Sequence, residues 1–89
     1  MKEIRITGRF KKDVKRIQHH PEKVARLEKV IRLLRQSGSL PQEYRPHRLT
    51  GNYKGCMECH VENDSLLIWI DETESIIKLL RYGSHSEIL

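Results

Sequence analysis

No apolar run in this chain approaches the roughly 20 residues that span a bilayer, so no membrane helix is expected. Hydrophobic residues are 37% of the 89 positions and aromatics only 6%, too little for a second core, and a single domain over residues 1–89 is expected. The opening Met1-Lys2-Glu3-Ile4-Arg5 lacks the apolar stretch of a signal peptide, which points to the cytosol. Cysteine is scarce as well. Two cysteines in a reducing compartment stay as thiols, so no disulfide is assigned.

Those two cysteines sit in Cys56-Met57-Glu58-Cys59-His60, which spells the C-x-x-C-H of covalent haem attachment and half of a zinc site. The context excludes both. No export signal is expected from the opening residues, there is no second C-x-x-C, and residues three apart in a strand point to opposite faces. Cys59 reads as a small core residue, and no cofactor or metal is expected.

Charge is abundant and unevenly placed. From Met1 to Arg48 there are 14 Lys and Arg against 5 Asp and Glu, a net of +9, whereas Leu49 to Leu89 carry 3 against 7, a net of −4. The basic half suits an anionic partner such as RNA or an acidic protein segment.

The pattern along the chain gives β-α-α-β-β-β. Lys2 to Ile6 alternates as a short strand, and Thr7 can cap a helix in which Phe10, Val14 and Ile17 recur at helical spacing. Pro21 suits the first turn of a second helix with Val24, Leu27, Val30, Ile31 and Leu34 as its buried stripe, ended by Ser37-Gly38-Ser39. Residues 40–53 look irregular and deliver His47 from a loop. Strands follow at Cys56 to Val61, Ser65 to Ile70 and Ile76 to Tyr82, the first two joined by a turn at Glu62-Asn63-Asp64. The expected fold is α+β, a helical hairpin on one face of a mainly antiparallel sheet whose other face is partly open.

Chemistry-bearing side chains gather in the second half. His47, His60 and His85 can move protons near neutral pH, and Arg81 can hold a phosphate. Strand alternation puts Glu58 with His60 on one face, and Ile77, Leu79 and Arg81 on one face, joined by His85 if the extended chain continues. Asp64 lies in the turn beside His60. His19 and His20, at a helix boundary, read as surface or structural residues. The set suits metal-free RNA cleavage.

Three separated blocks carry a family resemblance. Pro46-His47-Arg48-Leu49-Thr50-Gly51-Asn52-Tyr53-Lys54-Gly55, Cys59-His60-Val61-Glu62-Asn63-Asp64-Ser65-Leu66-Leu67-Ile68-Trp69 and Leu80-Arg81-Tyr82-Gly83-Ser84-His85-Ser86-Glu87-Ile88-Leu89 resemble, in order and spacing, the YafQ branch of the RelE/ParE toxin superfamily. The basic Phe10-Lys11-Lys12-Asp13-Val14-Lys15 helix matches too. The resemblance implies a toxin of a type II toxin–antitoxin module with a RelE-like fold, a ribosome-dependent mRNA endoribonuclease neutralised by a small DinJ/RelB-like antitoxin with an acidic segment. It carries the family's active-site positions onto His47, His60, Asp64, Arg81 and His85. We assign His85 as general acid, Asp64 or His47 as base, His60 as a positioning and charge-stabilising partner, and Arg81 as phosphate clamp. Lys11, Lys12, Lys15, Arg16, Arg48 and Lys54 would dock ribosomal RNA backbone around mRNA in the ribosomal A site.

Three positions depart from the family pattern. Ser65 and Leu89 stand where aromatics are common, and Pro46 stands where an Asp precedes the first histidine. Stacking on a nucleobase then falls to Tyr53 or Tyr82, since Trp69 at strand spacing packs in the sheet. A noncatalytic RNA- or antitoxin-binding module and a ParE-like gyrase inhibitor share the fold; neither needs the histidine set.

The charge asymmetry generates a first prediction. Association with an acidic antitoxin segment slows markedly between low and high salt, as stopped-flow mixing would record, because the basic helices steer the encounter. Equal association rates at both salt concentrations would refute this steering.

Overall fold

Ile4 and Ile6 alternate with charged residues in β1 (Glu3–Ile6), the first element of a computed structural model that describes residues 1–88. The chain then leaves the sheet through Thr7, whose hydroxyl accepts from the Phe10 N–H at 3.1 Å and opens α1 (Gly8–Lys15). Pro21 begins α2 (Pro21–Ser37) with Glu22 in its first turn, and Gly38 ends it at φ 78°, donating its N–H to the Leu34 carbonyl at 2.7 Å. These three punctuation residues act where the sequence placed them.

The remaining elements are β2 (His47–Arg48), β3 (Met57–Glu62), β4 (Ser65–Thr73), β5 (Ile76–Gly83) and α3 (His85–Ile88). They form a sheet of order β1-β5-β4-β3-β2 in which β1 runs parallel to β5 and every other pair is antiparallel. Two elements differ from the sequence reading. His47 lies in a two-residue strand rather than a loop, because pairing with β3 extends it. His85 begins a helical turn rather than prolonging β5, because Ser84 and Glu87 cap each other.

Directly paired residues share a face of the sheet, so register sorts the two sides. Cys59, Leu67 and Tyr82 form one row and Met57, Trp69 and Leu79 the next, both packed with Phe10 from α1 and Leu27, Val30 and Leu34 from α2. The core therefore lies under the two helices, α1 over β5 and α2 over β3. Cys59 and Trp69 are buried in it, as their strand positions predict.

The opposite face carries the rows His47–Glu58–Ile68–Arg81 and His60–Leu66–Gly83. Here the alternation of β5 is broken. Trp69 pairs with Leu79 while Ile68 pairs with Arg81, so Leu80 is an extra residue that turns Arg81 away from the face of Leu79. This corrects the expectation that Leu79 and Arg81 share a face. The second face is also less open than the sequence implies: Tyr53 reaches Leu80 and Arg81, so the chain between β2 and β3 crosses over β4, where Leu66 and Ile68 are buried.

Thr7 connects β1, α1 and β5, its hydroxyl lying 3.2 Å from the Leu79 carbonyl and 3.1 Å from that of Leu80. Thr7→Ala is expected to lower stability by about 1 kcal/mol, the usual effect of losing an N-cap, as a drop in urea midpoint with unchanged slope.

Candidate active site

Four candidate residues, His47, Glu58, His60 and Arg81, lie on the face away from the helices by register, and Arg81 borders a pocket of its own with Thr7, Arg9 and Tyr53. His47 is held at the sheet edge by pairing with β3, and its ring spans two acceptors: Nδ1 lies 2.8 Å from the Arg45 carbonyl and Nε2 lies 3.0 Å from Glu58 Oε1. A carbonyl cannot donate, so Nδ1–H is the donor to Arg45, and the carboxylate bond at Nε2 needs a second proton shared between His47 and Glu58. Arg45 offers its carbonyl from a left-handed conformation, φ 49°, at the end of the 3₁₀ turn Gln42–Tyr44.

Glu58 is the residue that the sequence reading did not assign. It is 4% exposed, and its Oε2 has no hydrogen-bond partner among the described residues. Strand alternation had placed it beside His60, yet only the β2–β3 register brings His47 to it.

His60, half-buried and one row further along, lines a depression of about 310 Å³ with Glu43, Tyr44 and Arg45. Asp64 is exposed in the β3–β4 turn and lines a different cavity, about 240 Å³, with Arg16, His20, Lys23 and Ser84. The two residues thus border separate depressions at the same end of the sheet. His85 is exposed two residues beyond Gly83, which belongs to the His60 row.

A reciprocal cap sets the start of α3. The Ser84 N–H donates to Glu87 Oε1 at 2.7 Å, and the Glu87 N–H donates to Ser84 Oγ at 3.3 Å. The Ser84 backbone N–H, its hydroxyl and then Arg16 hold the Glu87 carboxyl below the usual carboxylate range. Arg16 Nη1 is 3.4 Å from Glu87 Oε2 and 3.6 Å from Asp13 Oδ1, which ties α3 to α1.

Arg81 donates from Nε to Asp13 Oδ2 at 2.8 Å and from Nη2 to Asp13 Oδ1 at 3.3 Å. The Tyr82 N–H donates to the same Oδ2 at 2.9 Å. The Asp13 bond, with Tyr53 adding to it, stabilises the charged guanidinium further. Tyr53 shares a pocket with Arg81, whereas Tyr82 is buried in the core and is corrected as a stacking residue. Ser65 is buried behind Asp64, and Leu89 lies outside the described residues.

Lys11, Lys12, Lys15, Arg16, Arg48 and Lys54 are all exposed. Burial pushes the Cys59 thiol up to about 12 and raises that of Cys56 as well, so neither supplies a thiolate near neutral pH. Among the described residues no group of three or more His, Cys, Asp or Glu is arranged to hold a metal ion, and no helix is long and apolar enough to cross a membrane.

The family model of YafQ, bacterial toxins of type II toxin–antitoxin systems, matches residues 2–89. The chain is 32% identical over 88 residues to the mRNA interferase toxin YafQ of Escherichia coli K12, covering 98% of this chain and 95% of that one. It superposes on the toxin in a crystal structure of the E. coli DinJ–YafQ complex with a TM-score of 0.87 and 31% identity, covering 100% of this chain and 99% of that one. A metal-bound toxin from Helicobacter pylori gives 0.86 at 33% identity, with 100% of both chains covered.

The cap on α3 yields a pH prediction. A lowered carboxyl pKa means that the Glu87 contribution is present above the unfolded value and is lost as pH falls through the lower folded value. The Ser84 amide proton shift, followed by NMR, is expected to titrate below the ordinary carboxylate midpoint and to lose that titration in Glu87→Gln. A midpoint at the ordinary value would contradict the cap.

Proposed function

The chain belongs to the YafQ family of type II toxin–antitoxin toxins, and from that premise we propose that it is an mRNA endoribonuclease that cuts in the ribosomal A site. The observation that carries the reading is the sheet register, which aligns His47, Glu58 and Arg81 in one row with His60 in the next. An imidazole held on a buried carboxylate beside Arg81 favours a catalytic reading over a purely binding one.

The reaction follows from these groups. A base takes the proton of the 2′-hydroxyl, and the oxygen attacks the adjacent phosphorus. The bond from phosphorus to the 5′-oxygen breaks as that oxygen takes a proton from His85. Products are a 2′,3′-cyclic phosphate and a 5′-hydroxyl. The base is drawn from Asp64 and His47, the latter with the Glu58 carboxylate beside its Nε2. Arg81 neutralises charge on the phosphate, and His60 orients it and stabilises the transition state. No step draws on a metal ion or other cofactor.

Docking uses separate surfaces. Lys11, Lys12, Lys15 and Arg16 on and just after α1, with Arg48 and Lys54, face solvent and would contact ribosomal RNA backbone, which positions the enzyme without reading sequence. The same basic helices fit a small DinJ/RelB-like antitoxin with an acidic segment that folds as it binds. A ribosome-bound mRNA and a small antitoxin as partners would imply a cytoplasmic protein.

His85→Ala is expected to slow single-turnover cleavage of A-site mRNA by about 10²–10⁴-fold while ribosome affinity measured in parallel is unchanged. Wild-type protein should cut the same mRNA poorly when it is free. Wild-type rates in a folded, ribosome-bound His85→Ala protein would remove His85 as general acid, and equal rates on free and bound mRNA would remove ribosome dependence.

A further inference from the structure

Asp13 is the one acidic residue of α1, whose other charged positions are Arg9, Lys11, Lys12 and Lys15, and it is 2% exposed. A carboxylate taken out of water is costly unless its oxygens are filled. All of its partners but one belong to β5. β1 stops at Ile6, opposite Leu79, so the edge of β5 beyond Leu79 has no strand beside it on that side. Asp13 Oδ2 takes the Tyr82 N–H there, as a neighbouring strand's carbonyl would. The extra residue at Leu80 turns Arg81 onto the face of Glu58 and Ile68, and its guanidinium returns to the same carboxylate.

The way Asp13 grips Arg81 matters. It occupies Nε and Nη2, the side edge of the guanidinium, so the terminal Nη1–Nη2 edge is not engaged by Asp13 and has Tyr53 as its neighbour. That terminal edge is a planar fork suited to two phosphate oxygens. The Arg81 side chain is 11% exposed and stands beside Tyr53, so a held guanidinium has little room to choose another direction.

We propose that Asp13 is a positioning residue for RNA cleavage: its buried carboxylate fixes Arg81 so that the terminal fork of the guanidinium, beside Tyr53, meets the scissile phosphate. This rests on the reading of Arg81 as the phosphate clamp. A purely structural Asp13 would need only an acceptor for the Tyr82 N–H, which the amide oxygen of asparagine also supplies. Holding the guanidinium by its side edge needs both carboxylate oxygens. Asp13→Asn therefore separates the two roles.

The test uses the full chain. Asp13→Asn, shown folded by cooperative urea unfolding, is expected to slow single-turnover cleavage by up to about 10²-fold, the scale of a roughly 1 Å misplacement, with ribosome affinity unchanged. The double variant with Arg81→Ala should cut no more slowly than Arg81→Ala alone, because Asp13 acts through Arg81. Asp13→Glu keeps the charge but moves it by a methylene, and it should also slow cleavage. Wild-type cleavage by either folded variant, or losses that multiply in the double variant, overturns the proposal.

A second arm does not depend on turnover. An uncleavable 2′-deoxy dinucleotide titrated against the Arg81 side-chain NMR signals should give a saturable shift in wild type that is weakened in Asp13→Asn. Equal shifts in both proteins overturn the assignment. If wild type fails to cut ribosome-bound mRNA, the nuclease reading falls, while this titration still decides whether Asp13 aims Arg81 at a phosphate.

Discussion

The Asp13 carboxylate is the joint on which the working half of the molecule depends. It bonds the middle of α1 to β5, and it satisfies the backbone of Tyr82 and the guanidinium of Arg81 together. Removing one member of a buried pair leaves the other without a partner in a poor solvent, which costs more than the pair contributes. Arg16 and Glu87 extend the link to Ser84 and so connect α1, β5 and α3.

The sheet divides its labour by face. Under the helices the rows are apolar and closely packed, and that core supplies the stability of a small domain. The other face holds Glu58 with an oxygen unfilled and Arg45 with positive φ next to His47. Both are local departures from what a stable fold prefers, and both lie where the chemistry is expected. Glu58 remains tolerable because His47 covers its other oxygen.

Charge is divided as well. Exposed cations line α1 and the approach to β3, whereas Glu58, Glu62 and Asp64 follow one another along β3 and its turn, Glu58 beside His47 and Glu62 in the depression of His60. In the proposed reaction, long-range attraction to an anionic surface and short-range proton transfer would thus draw on different residues. Lys23 and Arg26 meet Glu62 across the gap between α2 and β3, joining the basic layer to the strand that carries His60.

Much of this fold was legible in residue order. Thr7, Pro21 and Gly38 act through their own backbone and nearest neighbours, so their roles need no partner distant in sequence. The helical stripe and the strand alternation likewise report local geometry, and they were enough for the α+β class and for the buried positions of Cys59 and Trp69. The Ser84-x-x-Glu87 cap was readable on the same terms, yet the alternation of β5 was extended through it. What tertiary structure alone decided was pairing. His47 becomes a strand residue only against β3, Arg81 changes face only because β4 and β5 slip by one residue at Leu80, and Asp13 is buried only because β1 stops short and exposes the edge of β5. Each depends on contacts between residues far apart in the chain, and hydrophobic period carries no record of them.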